Sequence, residues 1–380
     1  MDQPIYINAK GSLSALGKNA TEVLDSYDLK TNNLSLDEAT QLPVSRLNQY
    51  ADQQLQQIRE EDPRYKKLDR SVLMAIYAAR QCVASAGWED TDYGINIGSS
   101  RGATGLFEQY HHDFLAHQRV HPLTSPTTTL GNIASWVGQD LANKGIRFSH
   151  SITCSTAFHA LLNGIAWLNA GMSNKFLTGG SEAALTPFTL EQMKSVKLYS
   201  KRPIRDACQS LNYDKEENTL VLGEAAAVFA LSHSADHATA KITGYGFAGE
   251  NISNHASISA DAQCFQDSMK MALQKANRSR VDAIVMHAPG TLKGDKAEYK
   301  AIQKTFEPLP ALTTNKWKIG HTFGASGAMS LEMAILMLDE QVFYKNPYYL
   351  SNPQKGQLES ILLNSVGFGG NAVSIIIEKI

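Results

Sequence analysis

The chain has little cysteine and no pattern of paired cysteines. Among 380 residues there are four, Cys82, Cys154, Cys208 and Cys264, and they lie far apart in the sequence. Neither a disulfide framework nor a CxxC zinc site fits such spacing. We therefore expect reduced thiols, mostly buried as small apolar side chains, with at least one free to be reactive.

Long apolar runs are also lacking. No stretch reaches the roughly 18 residues that a membrane-spanning helix needs, and the N-terminus has no basic region followed by an apolar core. We therefore expect no membrane partner, no secretory signal and a cytoplasmic location. The nearest candidate, 361–377, is interrupted by asparagines and glycines and predicts two strands joined by a turn.

Neither sign of charge is in excess. The sequence has 35 Lys and Arg against 37 Asp and Glu, a formal net charge of −2. This balance gives no reason to expect a nucleic-acid or membrane-surface partner. Apolar residues make up 43% of the chain, which is enough for a sizeable core.

Alternating strand and helix patterns predict an α/β architecture with mainly parallel strands. Helical spacing appears over 70–87, 132–143, 156–170, 260–277, 295–306 and 327–338, and strand patterns appear over 93–98, 148–153, 176–179, 221–231, 241–246 and 283–287. The opening strand is predicted at Ile5–Asn8 before a glycine-containing turn, and 24–61 is expected to be irregular with short helices. No Pro, Gly or Ser-rich linker divides the chain, so halves of 1–235 and 236–380 should pack as one body.

Cys154 has the position of a nucleophile. It lies in Thr153-Cys154-Ser155-Thr156, between a short strand and a strongly periodic helix. A helix N-terminus favours a thiolate through its dipole and offers free backbone N–H groups to an oxyanion. A buried structural cysteine beside a helix cap is an equally good interpretation of this segment alone.

Two histidines lie in loops that follow apolar or glycine-rich segments. His287 ends the strand Ile284-Val285-Met286 and precedes Gly294-Asp295, while His321 lies among glycines five residues after Lys316. Ends of strands in α/β folds are where functional groups gather. Taken singly, each histidine fits a structural role better than a functional one.

A third loop joins the last two strands. Asn364-Ser-Val-Gly367-Phe368-Gly369-Gly370 places one phenylalanine among three glycines. It lacks the Lys-Ser/Thr ending of a phosphate loop and is followed by a strand, which argues against nucleotide binding. A plain hairpin turn and a functional loop remain equal interpretations.

The order of these segments is more specific than any one of them. Together with Ser14-Ala-Leu-Gly17 and Leu222-Gly-Glu224, they make nearly the whole chain resemble the β-ketoacyl-acyl-carrier-protein synthases, condensing enzymes of the thiolase-like superfamily. The resemblance implies a thiolase-like fold, in which two similar βα halves pack as a five-layered α-β-α-β-α core.

The resemblance also implies roles for particular residues. Cys154 would hold an acyl group as a thioester, and His287 and His321 would support decarboxylation of malonyl carrier protein. Lys316 and Glu298 would tune the site, with Asp295 keeping its accompanying place. Phe368 would act as a gate, and its backbone N–H would form the oxyanion hole with that of Cys154. No metal or organic cofactor is implied, and the implied partners are an acyl carrier protein and a second ketosynthase-like subunit, identical or different.

The chain departs from the family pattern at several positions. His287-Ala-Pro-Gly replaces the usual His-Gly-Thr, and Asn371-Ala372 replaces a Thr-Asn pair. Three residues are candidates for the acyl pocket: Arg101, Leu220 and Val366. Arg101 stands where many relatives have an apolar residue, which suggests a shortened or polar pocket unless the arginine belongs to a surface or subunit interface.

Three other functions compete with an active condensing enzyme. A chain-length-factor-like partner subunit usually lacks the cysteine, which is present here. A thiolase or a coenzyme A-dependent synthase is a second rival within the superfamily; a thiolase needs a second reactive cysteine near the C-terminus, and none follows Cys264. A structural α/β binding protein would not be acylated at Cys154. Fatty acid and polyketide or aryl-polyene-like synthesis are both compatible with the sequence.

Overall fold

The structure is a computed structural model that describes residues 3–130, 132–251, 258–351, 353 and 357–380. Its strands, in chain order, are β1 (Ile5–Ser14), β2 (Ser35–Leu36), β3 (Pro43–Ser45), β4 (Gly94–Gly98), β5 (Arg147–Phe148), β6 (Lys175–Glu182), β7 (Leu222–Gly223), β8 (Ala225–Ser232), β9 (Ala240–Gly249), β10 (Ala283–Val285), β11 (Ala311–Thr313), β12 (Ser360–Gly367) and β13 (Asn371–Glu378).

The α-helices follow the same order. They are α1 (Ala20–Asp28), α2 (Gln49–Glu61), α3 (Arg70–Ala86), α4 (Thr104–His117), α5 (Thr124–Thr128), α6 (Asn132–Asp140), α7 (Thr156–Asn169), α8 (Pro187–Ser195), α9 (Gln263–Lys275), α10 (Leu292–Thr305), α11 (Lys316–Ile319) and α12 (Ser326–Glu340). None of the helices that the structure describes is both long and apolar enough to cross a membrane.

Ten strands form one continuous sheet in the order β11-β10-β12-β13-β9-β1-β8-β6-β4-β5. The first five come from the C-terminal half of the chain and the last five from the N-terminal half. Antiparallel pairing of Ile5–Ile7 in β1 with 240–242 in β9 joins them. The division proposed at residue 235 falls between β8 and β9 and stays a prediction.

Three apolar clusters define the layers. Helices α7 and α12 lie between the two groups of strands, in a cluster that takes side chains from both groups. Helices α3 and α6 cover the outer face of the N-terminal strands, and α9 and α10 cover the outer face of the C-terminal strands. Helix α12 is buried on all sides from Ser326 to Leu338, and its sequence is accordingly mostly apolar. The order is α-β-α-β-α, as the resemblance implied.

The expectation of mainly parallel strands was wrong. In the ten-stranded sheet, the described strands pair parallel within β4–β5–β6 and within β10–β11–β12. A separate small sheet, β2-β3-β7, has one parallel pair, β3 with β7. Strands β1, β8, β9 and β13 pair antiparallel with their neighbours. Antiparallel strands need no crossover helix, so their pairing is invisible in a pattern of alternating helices and strands.

The opening strand is longer than predicted, because β1 continues through Gly11 to Ser14. Helix α3 crosses it so closely that a Cβ at Gly11 would lie 2.7 Å from Cys82 N. The glycine therefore marks close packing within a strand and not a turn.

Two other predicted elements need correction. The Gln-rich segment ends in a regular helix, α2, which is capped by Asn48 and buries Ala51, Leu55 and Ile58. The strand expected over 148–153 is limited to β5, and an irregular segment leads from it to Cys154.

Candidate active site

Cys154 lies in a strained turn just before α7. Thr153 has a φ of +47°, a left-handed conformation that is uncommon for a β-branched residue. Ser155 then occupies the N-cap of the helix. The Cys154 carbonyl accepts a hydrogen bond from Ser365 Oγ at 3.2 Å. The cysteine is only 5% exposed, so the turn holds its side chain inside the molecule.

Burial raises the pKa of the Cys154 thiol to about 12, and the carboxylate of Glu182 acts in the same direction. Lys316 and Arg101 oppose this increase through their positive charges. The net direction is opposite to the thiolate expected from the helix N-terminus, because desolvation of the charged form outweighs the favourable electrostatics. The resting residue is a neutral thiol.

His287 follows β10 and is held through its backbone. The buried carboxylate of Glu298 in α10 accepts hydrogen bonds from His287 N at 2.9 Å and Ala288 N at 2.8 Å. Asn364 Nδ2 donates to the same carboxylate at 3.1 Å. Burial raises the pKa of Glu298 to about 7. Glu298 therefore fixes the start of the histidine loop.

Asp295 fixes the other end of that loop. Its carboxylate accepts hydrogen bonds from Gly290 N at 3.0 Å and Thr291 N at 3.1 Å. It also forms a fully buried ion pair with Lys215 at 2.6 Å. Asp295 therefore has a structural role at its expected distance from His287, even though the residues directly after His287 depart from the family pattern.

His321 is held by the short strand β7. After α11, Gly320 adopts a φ of +63°, and a Cβ there would lie 2.7 Å from Val221 O. His321 N donates to Val221 O at 2.7 Å, and Gly223 N donates to His321 O at 3.1 Å. Glycine is therefore required for the chain to turn this close to the strand.

Both imidazoles are buried and neutral. Burial, with a contribution from the Lys316 charge, lowers the pKa of His321 to about 3 and that of His287 well below its usual range. Burial also lowers the pKa of Lys316 to about 8, although the nearby Glu298 opposes this change. Neutral imidazole can donate one hydrogen bond and accept another, so each ring can serve a reacting carbonyl.

The glycine loop packs against the cysteine turn. It is a hairpin between β12 and β13, as predicted. Thr153 Oγ1 donates to Phe368 O at 3.3 Å, and a Cβ on Gly367 would collide with that hydroxyl and lie 3.2 Å from Cys154 N. Phe368 is 39% exposed.

These segments enclose a cavity of about 380 Å³. Of the residues predicted from sequence, those that line it are Cys154, His287, Glu298, His321, Leu220, Val366 and Phe368. Lys316 is 1% exposed and acts electrostatically on both histidines. Arg101 does not line the cavity. Phe323 lines it instead, and the guanidinium carbon of Arg101 lies 5.6 Å from the centroid of the Phe323 ring.

Sequence reasoning missed residues around Arg101. Phe323 has a φ of +43°, and its ring lies 5.7 Å from that of His321. Glu182, fully buried at the end of β6, accepts hydrogen bonds from both neighbouring loops. The sequence feature that could have indicated Glu182 is its position: it is the one charged residue of the stretch Phe176–Glu182 and ends it.

Family models match the chain over most of its length. The model for the N-terminal domain of beta-ketoacyl synthases covers residues 15–237, and the model for the C-terminal domain covers 239–349.

Curated relatives match at low identity and nearly full length. The chain is 25% identical to 3-oxoacyl-acyl-carrier-protein synthase 2 of Coxiella burnetii over 416 residues, covering 99% of this chain and 98% of that protein. It is 24% identical to synthase 1 of Escherichia coli over 406 residues, covering 98% of each.

Solved structures match the fold over its whole extent. A beta-ketoacyl synthase from Burkholderia phymatum has a TM-score of 0.85 at 21% identity, with 100% of each chain covered. A ketosynthase in complex with its chain length factor, from Xenorhabdus doucetiae, has a TM-score of 0.80 at 20% identity and covers 100% of this chain and 98% of its own. A type II polyketide acyl-carrier protein in complex with its ketosynthase gives 0.85 at 17%, with 100% of each chain covered.

Proposed function

The chain belongs to the β-ketoacyl synthase family and is an acyltransferase-type condensing enzyme, and from that premise we propose that Cys154 carries the growing acyl chain as a thioester. The observation that supports this most is the shared cavity, which Cys154, His287 and His321 all line. A nucleophile and two neutral imidazoles at one cavity are the groups that a thioester condensation uses.

In the first half-reaction, Cys154 Sγ attacks the carbonyl carbon of an acyl thioester on a carrier protein. Because burial keeps Cys154 as a thiol, the thiol proton must leave Sγ as the bond to the acyl carbon forms. The proton passes to the departing carrier thiolate. The acyl group remains on Sγ, and the free carrier leaves.

The backbone N–H groups of Cys154 and Phe368 stabilise the oxyanion formed in this step. The packing of the glycine loop on the cysteine turn supports the assignment: Thr153 Oγ1 donates to Phe368 O, and Gly367 has no space for a Cβ beside Thr153 and Cys154 N. Donors held by a rigid turn need no reorganisation as charge develops.

In the second half-reaction, malonyl carrier protein enters and loses carbon dioxide. The C–C bond that breaks leaves its electron pair on the thioester enolate, whose oxygen accepts N–H donation from His287 and His321. The enolate carbon attacks the acyl carbonyl, and Cys154 leaves as the thiolate and takes a proton from water. Lys316 and Glu298 set the electrostatics of the histidines, and the product is a β-ketoacyl thioester two carbons longer.

Leu220 and Val366 form walls of the acyl pocket, and Arg101 closes it behind Phe323. Support comes from Leu220 and Val366 in the cavity lining and from the guanidinium over the Phe323 ring. We expect a short or polar acyl group for this reason.

The proposed partners are an acyl carrier protein and a second ketosynthase-like subunit in the cytoplasm. Structures of similar fold include a ketosynthase with its carrier protein and a ketosynthase with its chain length factor. Within the described part of the chain, β5 ends the sheet with β4 as its one neighbour, and this edge is a place where a second subunit, identical or different, can pair. The system would be a discrete-subunit one, for fatty acids or for polyketide or aryl-polyene-like chains.

A chain-length-factor-like role is the alternative. It is less well supported, because a non-condensing partner has no need for Cys154, His287 and His321 at one cavity. The test is incubation with malonyl carrier protein and a short acyl carrier protein, followed by intact-mass measurement of the carrier. A β-ketoacyl carrier two carbons longer supports the proposal; unchanged substrates with any carrier and partner subunit favour the alternative.

A further inference from the structure

Glu182 is a buried carboxylate that the proposed reaction does not use. It ends β6, its side chain is inaccessible to solvent, and it has four hydrogen-bond donors around it. Oε1 accepts from Ser99 Oγ at 2.9 Å and from Arg101 N at 3.2 Å. Oε2 accepts from Ser100 N at 2.7 Å and from Gly324 N at 2.9 Å. The carboxylate therefore connects two loops that are more than two hundred residues apart.

All four partners donate, which favours the ionised carboxylate, although burial raises the pKa of Glu182 to about 7. Ser99 Oγ already accepts a hydrogen bond from Gly102 N at 2.9 Å, so its proton is free to point to Glu182. An ionised carboxylate is an acceptor at both oxygens, and hydrogen bonds to a charged group are the stronger kind. A glutamine side chain of the same size can accept at only one of the two positions.

The two loops that Glu182 joins lie near Cys154, because Arg101 acts electrostatically on its thiol and Phe323 belongs to the same apolar cluster. One loop carries Arg101, which lines an outer groove with Phe107, Leu115 and Phe188. The other carries Phe323, which lines the inner cavity. The guanidinium over the Phe323 ring, also hydrogen-bonded to Gln192, separates the cavity from the groove.

The two loops pack closely against the end of β6. A Cβ on Gly324 would lie 2.8 Å from Glu182 Oε2 and 3.0 Å from the Ser99 carbonyl carbon. A Cβ on Gly180, two residues before the carboxylate, would lie 2.7 Å from Gly324 O. The strand end and both loops are thus in direct contact.

We propose that Glu182 is a positioning residue, whose carboxylate holds Phe323 against Arg101 and so determines where the acyl cavity ends. The inference rests on the proposed role of Cys154 as the acyl carrier. It assigns to Glu182 no contact with the substrate: the effect on chain length passes through Phe323 and Arg101.

Glu182→Gln tests this role with little change in volume. The amide nitrogen replaces one of the two acceptor oxygens. If it replaces Oε1, Arg101 N loses its acceptor, and if it replaces Oε2, Gly324 N loses its acceptor. The matched control is Glu332→Gln, a carboxylate that is also buried and bonded to Ser12 within the central helix layer.

The measurement is the rate of acyl transfer to Cys154 from butyryl and dodecanoyl N-acetylcysteamine thioesters, followed by intact mass. In Glu182→Gln the dodecanoyl-to-butyryl rate ratio should rise about tenfold, the scale of one charge-assisted hydrogen bond, while Glu332→Gln keeps the wild-type ratio. Ser99→Ala removes one donor without altering the carboxylate and should move the ratio the same way by a smaller factor, which keeps the test informative if Glu182→Gln does not fold.

Two outcomes overturn the inference separately from the proposed function. In the first, the wild type is acylated at Cys154, but Glu182→Gln and Ser99→Ala keep the wild-type dodecanoyl-to-butyryl ratio, with the butyryl and dodecanoyl rates unchanged or lowered by one common factor. The carboxylate is then only structural. If the wild type takes up no acyl group from either thioester, the proposed role of Cys154 fails, and with it the role of Glu182.

Discussion

The rings of His287 and His321 lie 5.2 Å apart between centroids and are nearly perpendicular, at 86°. They come from loops after β10 and α11, held respectively by Glu298 and by β7. Two buried, neutral rings fixed by independent backbone contacts form a preorganised pair of donors, which costs little reorganisation when charge develops on a carbonyl between them.

His321→Ala should therefore abolish condensation. Removing one preorganised donor typically lowers a rate by about 10²–10³, and we expect at least that loss in carbon dioxide release from malonyl carrier protein. Transfer of an acyl group to Cys154 should persist. His233→Ala, which removes a histidine that is bonded to Pro4 O and does not line the cavity, is the control. Near-normal elongation by His321→Ala would contradict the assignment of this ring.

The alkylation of Cys154 should depend steeply on pH. A thiol with a pKa of about 12 gains about tenfold in thiolate fraction per pH unit at lower pH, so its rate with iodoacetamide should climb without a plateau from about pH 6 to about pH 9. Intact mass of the wild type against Cys154→Ala isolates the signal. A rate already constant at neutral pH would mean that the helix N-terminus, and not burial, determines the charge of the thiol.

Arg101→Ile should lengthen the acyl chains that are accepted. The substitution removes the charge and the contact with the Phe323 ring that closes the cavity. We expect longer acyl thioesters to gain relative to short ones by about tenfold, the effect of one or two additional methylenes buried. Arg205→Ile, at an exposed position, is the control. An unchanged chain-length profile would place Arg101 outside the pocket, in a surface or interface role.

The central residues of the site could be predicted because each lies in a local pattern. Cys154, His287 and His321 follow a strand or a glycine turn within a few residues, and their order along the chain carried the resemblance. Glu298 lies only eleven residues after His287, and its carboxylate accepts a hydrogen bond from the backbone N–H of that histidine.

The remaining features depend on contacts between distant segments. Glu182 joins Gly324 across 142 residues, and nothing near either residue in the sequence indicates the other. The pairing of β1 with β8 and β9 arises in the same way, which is why the sheet was predicted with too many parallel strands. The pKa of Cys154 was predicted in the wrong direction because the dipole of a helix can be read from sequence, while the extent of burial cannot.

The most direct test of the central claim is the mass of the protein after incubation with a short acyl carrier protein in the absence of malonyl carrier protein. We predict that the wild type gains the mass of one acyl group and that peptide mapping places it on Cys154. Cys154→Ala should gain nothing, while Cys264→Ala, which removes another buried cysteine, should be acylated like the wild type. An adduct of equal yield on Cys154→Ala, or no adduct on the wild type, would contradict the role of Cys154 as the acyl carrier.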